Sequence, residues 1–182
     1  MVSEGAHSQD RSAAAWAVLA DVLDPEVPAL SVCDLGIVRS LRWPSEPEGP
    51  LEVTLTPTYS GCPATEVISE SVRAALVDAG FGPVQVRLQR SPAWTTDWIS
   101  AAGRAKLRAY GIAPPQDTTG PGCAVSGLSA APQPIHLMAR DIPCPRCDSP
   151  RTERLSAFGS TACKSLYRCL ACREPFEYFK PL

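Results

Sequence analysis

The chain has 182 residues, 45% of them hydrophobic and 20% charged, and carries a formal net charge of -2. This is a globular composition with room for one ordinary domain and a small second one. The charge balance excludes a chain that binds nucleic acid along its whole length, and no apolar run reaches the ~18 residues of a membrane span.

The N-terminus, MVSEGAHSQDRSAAAWAVLADVLDP, has no basic lead, and Asp21 interrupts its apolar stretch. It is a poor signal peptide, so a cytoplasmic location is expected. Trp16, Leu19, Ala20 and Leu23 recur at helical spacing and predict a helix that buries this stripe, stopped by Asp24-Pro25. Ile37 to Trp43 reads as a strand, joined through the turn-rich PSEPEGP to a second strand. There Leu51, Val53 and Leu55 form the buried face, and Glu52, Thr54 and Thr56 the wet one. Ala64 to Ala79 is helical, with Ile68, Val72, Ala75, Leu76 and Ala79 on one face and Gly80 at its C-terminal end. Val84, Val86 and Leu88 alternate with polar residues in a third strand, and a last helix runs from Asp97 to Tyr110, closed by Gly111. Trp94 and Trp98 in SPAWTTDWIS read as core, with a partner-binding ridge as the other reading. One-faced strands covered by helices predict an α+β domain over 10–113, a small mixed sheet.

Residues 114–140 are rich in Pro, Gly, Ala and Ser and carry no period, which predicts a semi-extended linker. The remainder, 141–182, is too short to hold itself together by apolar burial and needs a metal or crosslinks. Five of the eight cysteines lie there. Cys144-Pro-Arg-Cys147 and Cys169-Leu-Ala-Cys172 are two C-x-x-C pairs separated by twenty-one residues, a length that suits a β-hairpin. Four thiolates on one tetrahedral ion make a structural zinc site, and the fold expected is a zinc ribbon. Mononuclear iron or an iron–sulfur cluster on the same four sulfurs, or two disulfides, are the other readings. Leu155, Phe158, Tyr167, Phe176 and Tyr178 or Phe179 are expected to pack around the hairpins. Cys163 reads as a buried bystander or as an accessory redox thiol able to exchange with a ligand. Cys123 lies in the linker, and His136 is too far from either knuckle to be a natural ligand. From Asp141 onward there are seven Lys/Arg and five Asp/Glu, +2, which a zinc ion with four thiolates nearly cancels, so a nucleic-acid-binding ribbon is disfavoured.

Cys62 is the other marked position. In TYSGCPATEV it stands at a strand-to-helix junction where a helix N-cap belongs, followed by Pro63 at the first helical position. First-turn N–H groups would favour its thiolate, with Glu66 working partly against them. A small apolar cap filling a corner is the bland alternative. No histidine stands ready as a base, which counts against a cysteine–histidine enzyme and leaves a sulfur that binds a metal or a cluster. Asp24, Glu26 and Asp34 are weaker candidates beside it, and Cys33 either joins them or belongs to the core.

Taken together, D-P-E-V-P, D-L-G-I-V-R, T-P-T-Y-S-G-C-P-A, S-P-A-W-T-T-D-W-I-S, G-R-x-K-L-R-x-Y-G-I-A-P-P and F-G-S-T-A-C-K-S-L-Y-R-C resemble the PaaD (also PaaJ) family of the phenylacetyl-CoA epoxidase system. The N-terminal domain is similar to the iron–sulfur assembly domain of SUF-system and cytosolic Fe–S targeting proteins. The resemblance implies an accessory or maturation role in aerobic phenylacetate degradation. The chain would help to deliver or maintain iron or Fe–S centres of a di-iron oxygenase and its reductase, without forming the epoxide itself. It implies that Cys62 handles a transient Fe–S cluster or iron, with the reductase and oxygenase subunits as clients. One sulfur cannot hold a cluster alone, so a partner or a second copy in a homodimer must complete the site. A structural or adaptor component of the epoxidase with no cluster of its own is the alternative. The residues agree that oxygen and hydride chemistry lie elsewhere: there is no di-iron Glu-x-x-His pair and no dinucleotide-binding glycine fingerprint.

Overall fold

The computed structural model describes residues 4–43, 49–59, 61–116 and 141–181. It divides after Tyr110 into two compact units. Cys123, His136, most of the 114–140 segment and most of the PSEPEGP turn lie outside the described residues.

The first unit runs α1 (Glu4–Ala20), β1 (Val38–Arg42), β2 (Leu51–Leu55), α2 (Thr65–Asp78), β3 (Val84–Leu88), a 3₁₀ turn (Thr96–Trp98) and α3 (Ala101–Tyr110). Its sheet has the order β1-β2-β3. β1 and β2 pair antiparallel, as a short connection requires, while β2 and β3 pair in parallel with α2 as the crossover. Leu51, Val53 and Leu55 are at most 1% exposed, the buried face that their alternation predicts. Thr56 breaks the pattern: it is 1% exposed although its parity puts it with Glu52 and Thr54. Ile68, Val72 and Leu76 form the buried stripe of α2. That helix ends in a Schellman motif, with Phe81 N–H donating to the Leu76 carbonyl (3.0 Å) and Gly80 N–H to the Val77 carbonyl (2.9 Å). Gly80 has φ +83°, which glycine adopts without a Cβ penalty.

The stripe on α1 differs from the expected one. Ala15, Leu19 and Val22 are buried, whereas Ala20 and Leu23 are exposed and Trp16 is half-buried. The chain leaves the helix after Ala20, so Leu23 no longer obeys the helical period. The last helix is also shorter than predicted, because 97–100 form the 3₁₀ turn and a bend before α3 starts. Trp94 is core, 4% exposed, with its indole N–H donating to the Leu35 carbonyl at 2.8 Å. Trp98 is half-buried beneath the Arg39 guanidinium, 3.4 Å from the ring centre. Gly36 makes room for it: φ is +66°, and a Cβ there would lie 2.5 Å from the Trp98 carbonyl oxygen.

The second unit is a four-stranded sheet in the order β4-β7-β6-β5, from β4 (Ile112–Ala113), β5 (Thr152–Ser156), β6 (Lys164–Cys169) and β7 (Pro175–Phe179). Ile112 and Ala113 pair with Glu177 and Tyr178, so these two residues, which the sequence places at the end of the first domain, fold with the ribbon. Ala113, Ile142, Cys144, Cys169, Phe176 and Tyr178 make its core, with Tyr167 packed against them. Leu155 and Phe158, expected there too, are 49% and 65% exposed. Phe158 instead carries the Lys180 ammonium over its ring. No helix among the described residues is long and apolar enough to cross a membrane.

Candidate functional site

The ribbon presents a metal centre. In each knuckle the first cysteine is held by two backbone hydrogen bonds. Asp148 N–H donates to the Cys144 carbonyl (3.0 Å) and Cys144 N–H to the Ser149 carbonyl (3.0 Å). Arg173 N–H and Cys169 N–H repeat the pattern at 3.1 and 3.0 Å, to the carbonyls of Cys169 and Glu174. Asp148 and Arg173, each directly after a second cysteine, have φ of 59° and 68°, so the two turns are alike. The result is four sulfurs within 4.8 Å of one another.

Cys144 and Cys172 stand 3.8 Å apart, and Cys147 and Cys169 3.5 Å. A tetrahedron with metal–sulfur arms of about 2.3 Å has edges of about 3.8 Å, so the residues fit one four-coordinate ion. The separations far exceed a disulfide bond of about 2.05 Å, and the group leaves no room for a multi-iron cluster. The N–H groups of Cys172 and Ala171 both point at the Cys169 sulfur, at 3.4 Å. With Cys172 first among them, they hold that thiol down at about 6. Cys172 itself, against the pull of the Glu174 N–H, is pushed up to about 12 by burial and the neighbouring sulfurs, so the thiols ionise one at a time unless a cation draws them down together.

Cys163 takes no part. It is 4% exposed, and its sulfur is 3.0 Å from the Thr161 hydroxyl. Cys163 precedes β6 and Cys169 ends it, so six residues of strand separate the two by about 20 Å. Exchange with a ligand sulfur is excluded by that span.

The second constellation surrounds Cys62, where β2 hands over to α2. The helix starts later than expected. Ala64 occupies the N-cap without a side-chain cap bond, and Thr65 is the first helical residue. Cys62 and Pro63 belong to a preceding turn, in which the Cys62 carbonyl accepts from both the Thr65 N–H (3.2 Å) and the Thr65 hydroxyl (2.8 Å). Cys62 lines an apolar cavity with Asp24, Ile37, Leu55, Thr65, Ile68 and Leu88 among its walls. Leu88, also in the wall, is 48% exposed.

The expected lowering of the Cys62 pKa does not occur. Burial pushes the thiol up, the Ala64 N–H pulls it down, and the charges of Glu26 and Asp24 push it up again, against the Thr65 hydroxyl; the balance is upward. One N–H at the helix entrance, that of Ala64, does reach the sulfur, but a half-buried site beside two carboxylates outweighs it.

Of the three weaker candidates, Asp24 and Glu26 act on Cys62. Asp24 also closes the D-P-E-V-P turn: its Oδ1 accepts from the N–H groups of Glu26 and Val27, each at 2.8 Å. Asp34 belongs to another network. Its carboxylate accepts from Ser31 N–H and hydroxyl (both 3.1 Å), the Ser100 hydroxyl (3.2 Å) and Lys106 Nζ (2.6 Å). Cys33, its neighbour, is raised to about 11 by burial and then by the Asp34 charge. Neither residue lines the Cys62 cavity.

Two family models match the chain: an iron–sulfur cluster assembly protein domain over residues 12–88 and a PaaD zinc beta ribbon domain over residues 130–180. The chain is 48% identical over 165 residues to a protein of Escherichia coli (strain K12) named as the D component of 1,2-phenylacetyl-CoA epoxidase, a match that spans 91% of this chain and 90% of that one. The chain belongs to the PaaD family. This PaaD chain is also 33% identical over 91 residues to an Fe-S protein maturation auxiliary factor of Porphyromonas gingivalis (strain ATCC BAA-308 / W83), covering 50% of the one and 84% of the other. It is 30% identical over 90 residues to the Fe-S protein maturation auxiliary factor YitW of Bacillus subtilis (strain 168), covering 49% and 85%. An accessory, maturation-type role in phenylacetate degradation therefore attaches to this PaaD chain, together with a four-cysteine metal site in its ribbon.

Sequence reasoning misses two residues of the PaaD site region. Strand alternation puts Thr56 on the wet face, and nothing local singles out Arg90. Both line a pocket at the loop after β2, together with Pro57, Thr58, Tyr59, Ala93 and Trp94. Thr56 stands in a clean alternation, and no local pattern marks where a strand stops following its own parity.

Proposed function

We propose that the chain is a carrier or maintenance factor for the iron or iron–sulfur centres of the phenylacetyl-CoA epoxidase system, with Cys62 as the residue that contacts the cargo. The observation that carries this is the position of Cys62: among the described residues it is the one cysteine lining the cavity where β2 meets α2, within the segment that matches the iron–sulfur assembly model. Iron and clusters demand several ligands, and this cavity supplies one sulfur with the Asp24 carboxylate in its wall. The remaining ligands come from outside, from the client, a small molecule or a second copy of the chain. The oxygenase and reductase subunits are the clients. The ribbon takes a structural zinc ion, whose binding supplies the folding energy that its small core lacks. Its exposed Leu155 and Phe158, beside Arg154 and Lys180, suit contact with a protein partner.

The test is reactivation. Iron-free reductase and oxygenase are reconstituted without oxygen from iron and sulfide, with the full chain or its Cys62→Ser variant present. The native chain is expected to speed the return of epoxidation and the variant to leave it at the unassisted rate. Equal rates in all three conditions would overturn the carrier reading in favour of an adaptor role.

A further inference from the structure

Two depressions meet at the loop that leads from β2 to Cys62. One is lined by Cys62, Pro63, Thr65, Glu66 and Leu88, the other by Thr56, Thr58, Tyr59 and Trp94, and Pro57 and Arg90 belong to both. Thr56 is 1% exposed, and its hydroxyl has no hydrogen-bond partner among the described residues. Buried hydroxyls are almost always paired, so an orphan in the wall of a pocket marks a place where a ligand atom completes the structure. Arg90 is exposed, and among the described residues it makes no ion pair.

A guanidinium and a hydroxyl that line one pocket suit a carboxylate, which accepts two parallel N–H bonds from arginine. Glu66 is the carboxylate of the protein that shares the cleft with Arg90. The neighbouring cleft sets a second requirement. Cys62 is its one sulfur, and no histidine lines either depression. A molecule that fills both needs an anionic handle at one end and a metal ligand at the other.

We propose that Thr56 and Arg90 form a carboxylate-binding subsite, and that it seats a small carboxylate-bearing thiol of the glutathione class as the co-ligand for iron held on Cys62. The co-ligand half rests on the carrier function above. On binding iron, the thiol of the small molecule and that of Cys62 each release one proton to solvent, and no electrons move. The peptide's carboxylate sits on Arg90 and Thr56, and its sulfur faces the Cys62 side of the loop.

The test uses the full chain with its ribbon metal in place and no iron, held without oxygen. The Trp94 indole resonance is followed during titration with glutathione, with S-methylglutathione, which keeps the carboxylates and loses the thiol, and with cysteamine, which does the reverse. Glutathione and S-methylglutathione are expected to bind alike and cysteamine not at all. Arg90→Ala is expected to weaken binding by at least about tenfold, the loss of one charge-assisted contact. Thr56→Val is expected to weaken it and Thr56→Ser to keep it. An unshifted Trp94 resonance in the free variants checks that each has folded. Absence of binding by the native chain, native affinity in Arg90→Ala, or equal affinity for cysteamine would overturn the subsite. Iron is then added: glutathione, and not S-methylglutathione, is expected to raise the iron retained by the native chain and not by Cys62→Ala. Arg90-dependent binding with no iron retained in any form would uphold the subsite, overturn the co-ligand role and count against iron carriage on Cys62.

Discussion

Lys106 Nζ lies 2.6 Å from Asp34 Oδ2, and this pair ties the loop before β1 to α3. The same carboxylate accepts from Ser31 and Ser100, so one side chain organises segments that are far apart in sequence. Burial works against its ionisation, but the Lys106 hydrogen bond, the Ser31 N–H and hydroxyl, and the Lys106 charge together hold the pKa below the usual range. A group lowered in this way contributes stability that is complete above the unfolded value, about 3.9, and is lost as pH falls through the lower folded value. Asp34→Ala is expected to cost about 3 kcal/mol at neutral pH by urea denaturation, because it strands buried donors. The gap to the native chain should narrow in acid below about pH 4. Lys106→Met should cost only about 1 kcal/mol, since that side chain is half-exposed and the pair is partly screened.

The ribbon should depend on its metal. The cluster at its centre includes two of the ligands themselves, Cys144 and Cys169. A four-thiolate site contributes on the order of 10–16 kcal/mol to a fold of this kind. Chelation is expected to abolish the dispersed amide resonances of β5, β6 and β7. Cys147→Ser and Cys172→Ser should each lose the metal, and Cys163→Ser should retain it. Metal loss in Cys163→Ser would contradict its placement outside the site.

How much of this is legible in the sequence depends on how local each signal is. The knuckles are written within four residues each, and the hairpin length between them is fixed by the chain, so the four ligands can be named without a structure. The alternation of Leu51, Val53 and Leu55 marks the buried face of β2 for the same reason. Asp34 is visible as a polar mark, but its partners Ser100 and Lys106 lie 66 and 72 residues away, a separation that no period spans. Cys62 stands out, yet its helix cap lies two residues further on than the sequence suggests, because the Thr65 hydroxyl and N–H both bond the Cys62 carbonyl and delay the first helical turn. Leu155 and Phe158 are apolar, and hydropathy does not say which side of a narrow sheet a residue faces.

The raised pKa of Cys62 has a kinetic consequence. At neutral pH the thiol should react with iodoacetamide more slowly than an unperturbed cysteine, and the rate should keep rising beyond the pH at which a free thiol levels off. Glu26→Gln removes one of the charges that disfavour the thiolate and should speed alkylation by about twofold to fivefold. Asp24→Asn should act in the same direction while its Oδ1 still accepts from Glu26 and Val27. Rates unaffected by either change would contradict the part that the Glu26 and Asp24 charges add to the effect of burial.

The most direct measurement is the metal content of the chain purified without oxygen, with and without Cys62→Ala. Zinc, iron and acid-labile sulfide are determined per chain. About one zinc is expected in both forms, because the ribbon site does not involve Cys62. Iron, with sulfide if the cargo is a cluster, is expected only where Cys62 is intact. Equal iron in the two forms, or none in either after reconstitution, would contradict the role given to Cys62.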